Sequence, residues 1–368
     1  MLPFSRPSIG EDEIREVVEV LKSGWITTGP RTVQFEKDFA AYAGAPHALA
    51  LTSGTAALHC IYWALDLQPG DEIICPSLTW PATANMAVAL GAKVVFADID
   101  RRTLQIDPAD VAKRLTKKTR AIVPVHFAGA PADLDALREV AGKGIALIED
   151  AAHAAGTEYK GRKIGTHGNP AVFSFHPIKD MTTGEGGMLT LHDDRVAERV
   201  RLFKFHGVSR DAWKAYGSAG SAHYDTVLAG FKYNLTDIAS AIGIHQLRRL
   251  DGFIERRREI AETYLKGLAG VRGLELPTPP AYPHRHAWHL FTVQVDRRDE
   301  FMARLKEENI GSGFHFEAVH RTTLYRPGSP NLPHTETVCD RILSLPLFPD
   351  MTNQDTEDVV QTVRRLLA

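Results

Sequence analysis

Apolar runs of four to seven residues recur after an N-terminal segment, at 48–51 (ALAL), 72–75 (EIIC), 93–99 (KVVFADI), 121–127 (AIVPVHF), 145–150 (IALIED), 171–175 (AVFSF) and 187–191 (GMLTL). Their length and their Val, Ile and Phe content suit buried strands. Helical patterns lie between most of them: TAALHCIYWALDL after Gly54, ATANMAVAL from Ala82 and ADLDALREVAGK from Ala132. Another opens with Asp107-Pro108, a capping residue followed by a first-turn proline. This alternation predicts an α/β fold with a mostly parallel seven-stranded sheet covered by helices on both faces. Runs 171–175 and 187–191 lie close in sequence, so the sheet need not be parallel throughout. From Leu235 to about Leu268 the pattern is helical, as one helix or two joined near Asp251-Gly252. PTPPAYP at 277–283 reads as an irregular hinge-like piece. The expected division is a large domain over residues 1–245, including the N-terminal segment, and a smaller C-terminal α/β domain over residues 246–368.

Composition narrows the function classes. The 368 residues are 44% hydrophobic and 24% charged, with a formal net charge of -2. Arg256, Arg257 and Arg258 are flanked by Glu255 and Glu259, a solvated helix face rather than a nucleic-acid patch. No window approaches 18 consecutive apolar residues, so no membrane span is expected. The start, MLPFSRPSIGEDEIREVV, shows no basic stretch followed by an apolar run. Cys60, Cys75 and Cys339 fit neither a disulfide framework nor a zinc site, and a cytoplasmic location is expected. His284, His286 and His289 in PHRHAWH invite a metal reading. Their gaps are too short for an HExxH-type face and no carboxylate completes a set, so no metal is expected.

Ligands of open α/β sheets sit at the carboxyl ends of strands, and four segments there carry candidate chemistry. In FSFHPIKDMTTGEGG, Lys179 follows a strand and precedes a Gly-rich turn. A desolvated amine in that place becomes a nucleophile able to form a Schiff base; taken alone, a surface loop lysine is the commoner case. In IALIEDAAHAAG, an apolar strand runs into Asp150. A carboxylate there needs a cationic partner, and a protonated pyridine nitrogen is one; a helix cap is the plainer alternative. His153 lies three residues on and could support Asp150 or a cofactor oxygen. In LTSGTAALH, Gly54 and Thr55 open a helix whose free N–H groups suit a phosphate. In SLTWPATAN, Trp80 could stack on a flat ring or simply pack. No GxGxxG or GxxxxGK[ST] is present.

These segments occur together with FKYNLTD, in order and at fitting separations. The chain resembles the DegT/DnrJ/EryC1/StrS sugar aminotransferases, a branch of the fold-type I pyridoxal-phosphate enzymes, almost end to end, from PFSRPSIG through SGWITTGP to SLPLFPD. The resemblance implies an aspartate-aminotransferase-like large domain, a small C-terminal domain, pyridoxal 5'-phosphate (PLP) as cofactor and a homodimer with shared active sites. Position by position, it makes Lys179 the Schiff-base lysine and Asp150 the partner of the pyridine nitrogen. Trp80 takes the stacking position and His153 the place beside the cofactor. Gly54, Thr55 and Ser174 take phosphate positions, and Asn234 that of an asparagine reaching the phosphate from the neighbouring subunit. From its residue type alone, Asn234 would be a helix cap. Some relatives carry His at the position of Lys179 and dehydrate deoxysugars, so the lysine points to transamination.

PVHFAGAPADLDA, HAWHLF and SLPLFPDMT are most similar to the branch that aminates UDP-4-keto-pentoses in lipid A modification. That likeness implies glutamate as donor, 2-oxoglutarate as its product, a keto-sugar nucleotide as acceptor and ping-pong kinetics. In that branch an arginine follows the HF of GxGxHF, whereas GSGFHFEAVH carries Glu317, which repels an anionic nucleotide. A transaminase of small amines or other ketones is therefore the alternative. A PLP-binding regulatory protein without catalysis is a third, against which Lys179, Asp150 and His153 speak. Trp25, His206, His315 and His320 are candidates for the substrate side, although each residue type is as common in packed or surface positions.

Overall fold

The expected strands and helices follow one another in the computed structural model, which describes residues 1–209 and 225–368. Glu72–Pro76 pairs in parallel with Lys93–Ala97 on one side and Thr119–Ile122 on the other, and Thr119–Ile122 pairs in parallel with Ala146–Leu147. A second four-stranded sheet runs from Glu149–Asp150, parallel to Ala171–Ser174, through Gly187–Leu191 to His47–Leu51, the last two pairings antiparallel. The loop joining Ala171–Ser174 to Gly187–Leu191 holds no helix to carry a crossover, so those strands turn back on each other.

The two sheets meet along residues 146–150. On one side Ile148 and Asp150 donate their N–H groups to the carbonyls of Ile122 and Pro124. On the other, Glu149 and Ala151 donate to Pro170 and Val172. Backbone bonding therefore continues from one sheet into the other, and the sheet system is mixed rather than parallel throughout. Run 121–127 is shorter as a strand than its apolar length suggests: regular pairing stops at Ile122, and only Val125 bridges onward, to Asp150.

Helices Gly54–Ala64 and Ala82–Ala89 cover one face of the sheet. Asp107 caps Pro108–Arg114 by accepting the Ala109 N–H at 2.9 Å. The N-terminal segment folds as two helices, Glu11–Ser23 and Pro30–Ala43, both packed on Asp237–Gly267. Asp237–Gly267 is one helix of 31 residues with no break at Asp251-Gly252. A mid-helix glycine costs only about 1 kcal/mol, and the buried face on either side of it is continuous. The helix passes through residue 245, so the division expected there is not a break in the chain. Its cap is Thr236, whose hydroxyl accepts the Ala239 N–H at 3.3 Å, not Asn234. Beyond it, Leu274–Glu275, Phe291–Val295 and Ile342–Leu345 form an antiparallel sheet with its own apolar core, packed by Arg298–Glu307 and Asn353–Leu367.

Candidate active site

A cavity of about 410 Å³ opens at the carboxyl ends of the strands. Alternation along a strand sends Glu149 and Asp150 to opposite faces, and the structure treats them oppositely. Glu149 is fully buried in a network away from the cavity, accepting from Asn169 Nδ2 at 2.7 Å and sitting 3.0 Å from His126 Nε2. His126 Nδ1 accepts the Ala132 N–H, so its Nε2 carries the proton toward Glu149. Asp150 lines the cavity. Its Oδ2 accepts the Thr83 hydroxyl at 2.7 Å and its Oδ1 the Ala152 N–H at 3.1 Å. Burial raises the Asp150 carboxyl, while those two bonds and the charge of Lys179 oppose the shift.

Lys179 lines the same cavity, on the loop that leaves Ala171–Ser174. Burial lowers its amine to about 8, with Asp150 and Asp180 opposing the shift. At pH 7 such an amine is unprotonated about a tenth of the time, far more often than an ordinary lysine, which brings it within reach of acting as a nucleophile or base. His153 lines the same cavity, held neutral by burial and by the nearby Lys179 amine, and its Nδ1 has no hydrogen-bond partner.

Gly54 and Thr55 begin helix Gly54–Ala64 at the cavity wall. Ser53 Oγ takes the Ala56 N–H at 3.0 Å, while the first-turn N–H groups have no acceptor within the helix. Gly187 approaches this turn so closely that a Cβ there would stand 2.4 Å from the Ser53 carbonyl carbon and 2.5 Å from the Gly54 nitrogen. Ser174 adds a hydroxyl to the same wall. Trp80 stands at the rim, 63% exposed, its ring 6.0 Å from that of Phe316. An anion cradle, a flat aromatic face, a buried carboxylate and a buried amine around one cavity fit the phosphate, ring, ring nitrogen and aldehyde of PLP.

Of the substrate-side candidates, His315 lines the cavity, with Nδ1 2.9 Å from Ser344 Oγ. The other three lie outside it. His320 is tied to Ser77 Oγ at 2.7 Å and to Glu336 at 3.3 Å. Trp25 is spent on the Thr28 carbonyl, at 3.0 Å. His206 is exposed on a turn of positive φ. Asn234 also lies outside this chain's cavity: its Nδ2 donates to Thr28 Oγ1 and its Oδ1 has no partner. Sequence reasoning missed Thr83, Phe314 and Phe316. Thr83 had a signal, since it lies in SLTWPATAN one helical turn past Trp80.

Among the described residues, no helix is long and apolar enough to cross a membrane and no His/Cys/Asp/Glu group is arranged to hold a metal ion. A sequence model of the DegT/DnrJ/EryC1/StrS aminotransferase family matches residues 7–364. Among solved structures, the chain is similar to the aminotransferase TlmJ from Streptoalloteichus hindustanus, at 36% identity and TM-score 0.93 over 99% of this chain and 98% of that one. It is similar to the sugar aminotransferase CalS13 from Micromonospora echinospora, at 32% identity and TM-score 0.92 over 99% and 100%. Spr1654 from Streptococcus pneumoniae, solved in a PMP form and a PLP form, is 31% identical; the PMP form gives a TM-score of 0.94 over 100% of both chains.

Proposed function

The chain belongs to the DegT/DnrJ/EryC1/StrS aminotransferase family and is a PLP-dependent aminotransferase, and from that premise we propose that it moves an amino group from glutamate to a keto-sugar nucleotide of the UDP-4-keto-pentose kind. The observation that carries the reading is the convergence of Lys179, Asp150 and the Gly54 helix start on one cavity.

When bound, PLP supplies an aldehyde that joins an amine and a ring that takes up the electrons left as a Cα proton departs. The residues of this chain do the rest. The first-turn N–H groups at Gly54 and Thr55, with Ser174, hold the phosphate. Asp150, fixed by Thr83 and the Ala152 N–H, keeps a proton on the pyridine nitrogen. Trp80 covers the ring face, and neutral His153 orients the edge beside it. The Lys179 amine, brought near neutrality by burial, takes the Cα proton from the amino donor and returns it. Asn234 reaches the phosphate of the neighbouring subunit in a homodimer. Exposed Ile14, Val18, Leu21, Trp25, Ile26 and Val33 near the N-terminus support such a pairing. We read the joined sheets as one seven-stranded sheet of a large domain over residues 1–245, with residues 246–368 as the small domain and the cytoplasm as location.

A second reading, transamination of small amines or ketones, is favoured by the aromatic rim of Trp80, Phe314 and Phe316 and by exposed Glu317 next to it. The test is a spectroscopic half-reaction screen of amino donors, followed by a ketone panel on the aminated cofactor form. Turnover of UDP-4-keto-pentose after loading with glutamate is expected. Turnover of amines and simple ketones, with none of any nucleotide keto-sugar, would reject the first reading in favour of the second.

A further inference from the structure

Eight buried side-chain polar atoms lack a hydrogen-bond partner among the described residues, and five of them belong to one contacting set that includes Asp180, the residue after Lys179. They are Asp180 Oδ1, Arg257 Nε, both ring nitrogens of His289 and Nδ1 of His153. Such atoms are rare, and each asks for a reason. Here the contacts run in a line. The His153 and His289 ring centroids are 4.3 Å apart with planes at 35°. His289 Nδ1 is 3.3 Å from Asp180 Oδ1, and Arg257 Nε is 3.8 Å from the same oxygen. None of the four residues is more than 4% exposed.

The backbone is bent to make this line. Trp288 has φ +51°, a left-handed conformation costly for a bulky residue and persistent only where the surroundings enforce it. Its N–H donates to His286 Nδ1 at 2.8 Å, and the two rings stack with centroids 3.9 Å apart. Gly129, at φ +95°, packs against both histidine segments. A Cβ there would lie 2.9 Å from the nitrogens of Trp288 and His289 and 3.2 Å from the His153 carbonyl. Arg257 Nη1 is committed to the carbonyls of Trp288, His289 and Leu347, so its charge stays beside Asp180 without closing on it.

We infer that Asp180 and His289, facing each other at 3.3 Å without a closed hydrogen bond, act as a dyad that positions His153 and sets the charge felt by the Lys179 amine. The inference rests on reading Lys179 as the cofactor-bonding lysine. Burial, with the charges of Lys179 and Arg257, keeps His289 neutral, and the neutral rings of His153 and His315 lie near it as well. Burial pushes the Asp180 carboxyl up to about 7, against the pull of Arg257 and Lys179, so its proton is exchangeable near neutral pH. An ionised Asp180 strengthens the hold of Lys179 on its proton; a protonated one frees the amine. Asp180 and His289 are thus positioning residues.

The experiment titrates the absorbance of the bound cofactor against pH in wild type, Asp180→Asn and His289→Phe holoenzyme. Asp180→Asn removes the negative charge. His289→Phe replaces the polar ring facing Oδ1 by an apolar one, so that buried Asp180 keeps its own proton and is neutral too. Both variants are expected to lower the titration midpoint by roughly one pH unit, a tenfold change in proton affinity. Nitrogen NMR of the cofactor-free chain supplies a second readout: Asp180→Asn is expected to move the His289 and His153 ring signals together. Lower melting temperatures with an unmoved midpoint and unmoved ring signals would overturn the dyad and leave a structural cluster. If the wild-type holoenzyme shows no borohydride-reducible adduct, the reading of Lys179 fails instead, and the NMR arm still decides the dyad. If Asp180→Asn does not fold, His289→Phe carries the titration and the His153 signal decides.

Discussion

Removing one hydroxyl, by Thr83→Val, tests how Asp150 is prepared for its partner. Thr83 is fully buried, and its Oγ1 is 2.7 Å from Asp150 Oδ2 and 3.0 Å from Thr79 Oγ1. Valine keeps the shape and deletes the donor. A hydrogen bond to a charged group contributes about 1.5–3 kcal/mol, or roughly tenfold to a hundredfold in an equilibrium constant. Burial already raises the Asp150 carboxyl, and the Thr83 bond is the first of the effects opposing it. Without it the carboxyl rises further and a larger share is protonated, which weakens its pairing with a protonated pyridine. Retention of PLP is therefore expected to fall about tenfold, and by more at pH 6 than at pH 8, because higher pH restores the carboxylate. Fluorescence titration of PLP into the cofactor-free protein at the two pH values measures this, with circular dichroism confirming the fold. A Kd within twofold of wild type at both values would refute the role given to Thr83.

Lys179→Ala is expected to abolish the yellow colour, the borohydride-reducible adduct and turnover; an adduct that persisted would put the bond on another residue. The same amine predicts a pH dependence of stability in the cofactor-free chain. With a folded value near 8 against an ordinary 10.5, the unfolded lysine holds a proton that the folded one lacks between those pH values, so this group makes stability rise with pH there. Urea midpoints at pH 8 and pH 10 should show the gain in wild type and a smaller gain in Lys179→Ala; equal gains would contradict it. Gly187→Ala places a Cβ against the backbone at Ser53 and Gly54 and should cost about 1–3 kcal/mol of stability as well as phosphate retention, both read by thermal melts with and without PLP. Asn234→Ala should weaken cofactor retention without moving the spectrum, and an unchanged dissociation constant would count against a contact to the neighbouring subunit's phosphate.

The parts of this site that lie within a few residues of one strand end could be read from the sequence. Lys179 follows one apolar run and Asp150 ends another, and a charged residue in such a place demands an explanation before any fold is known. Thr83 was within reach by the same logic but is a common residue with an unremarkable neighbourhood. His320 shows the opposite failure: a histidine near the cavity-lining His315 looks like chemistry, yet its ring is occupied by Ser77 and Glu336. No local pattern separates a histidine with free ring nitrogens from one whose partners lie in another part of the chain.

Asp180 and His289 mark where local reading stops. Asp180 is the next residue after Lys179, and in sequence it looks like a loop carboxylate balancing a lysine. His289 sits in a histidine-rich stretch that suggests a metal. Their meaning depends on a distance, 3.3 Å between Oδ1 and Nδ1, created by a left-handed tryptophan and a glycine whose missing Cβ lets two backbones meet. Neither residue type announces that geometry, because tryptophan disfavours it and glycine permits many others. The cost of holding Trp288 there, with four buried titratable or charged side chains left short of partners, makes sense if the cluster serves the amine beside it. Folding alone does not call for these groups, since replacing buried ionic groups by apolar ones of similar volume is often neutral or stabilising.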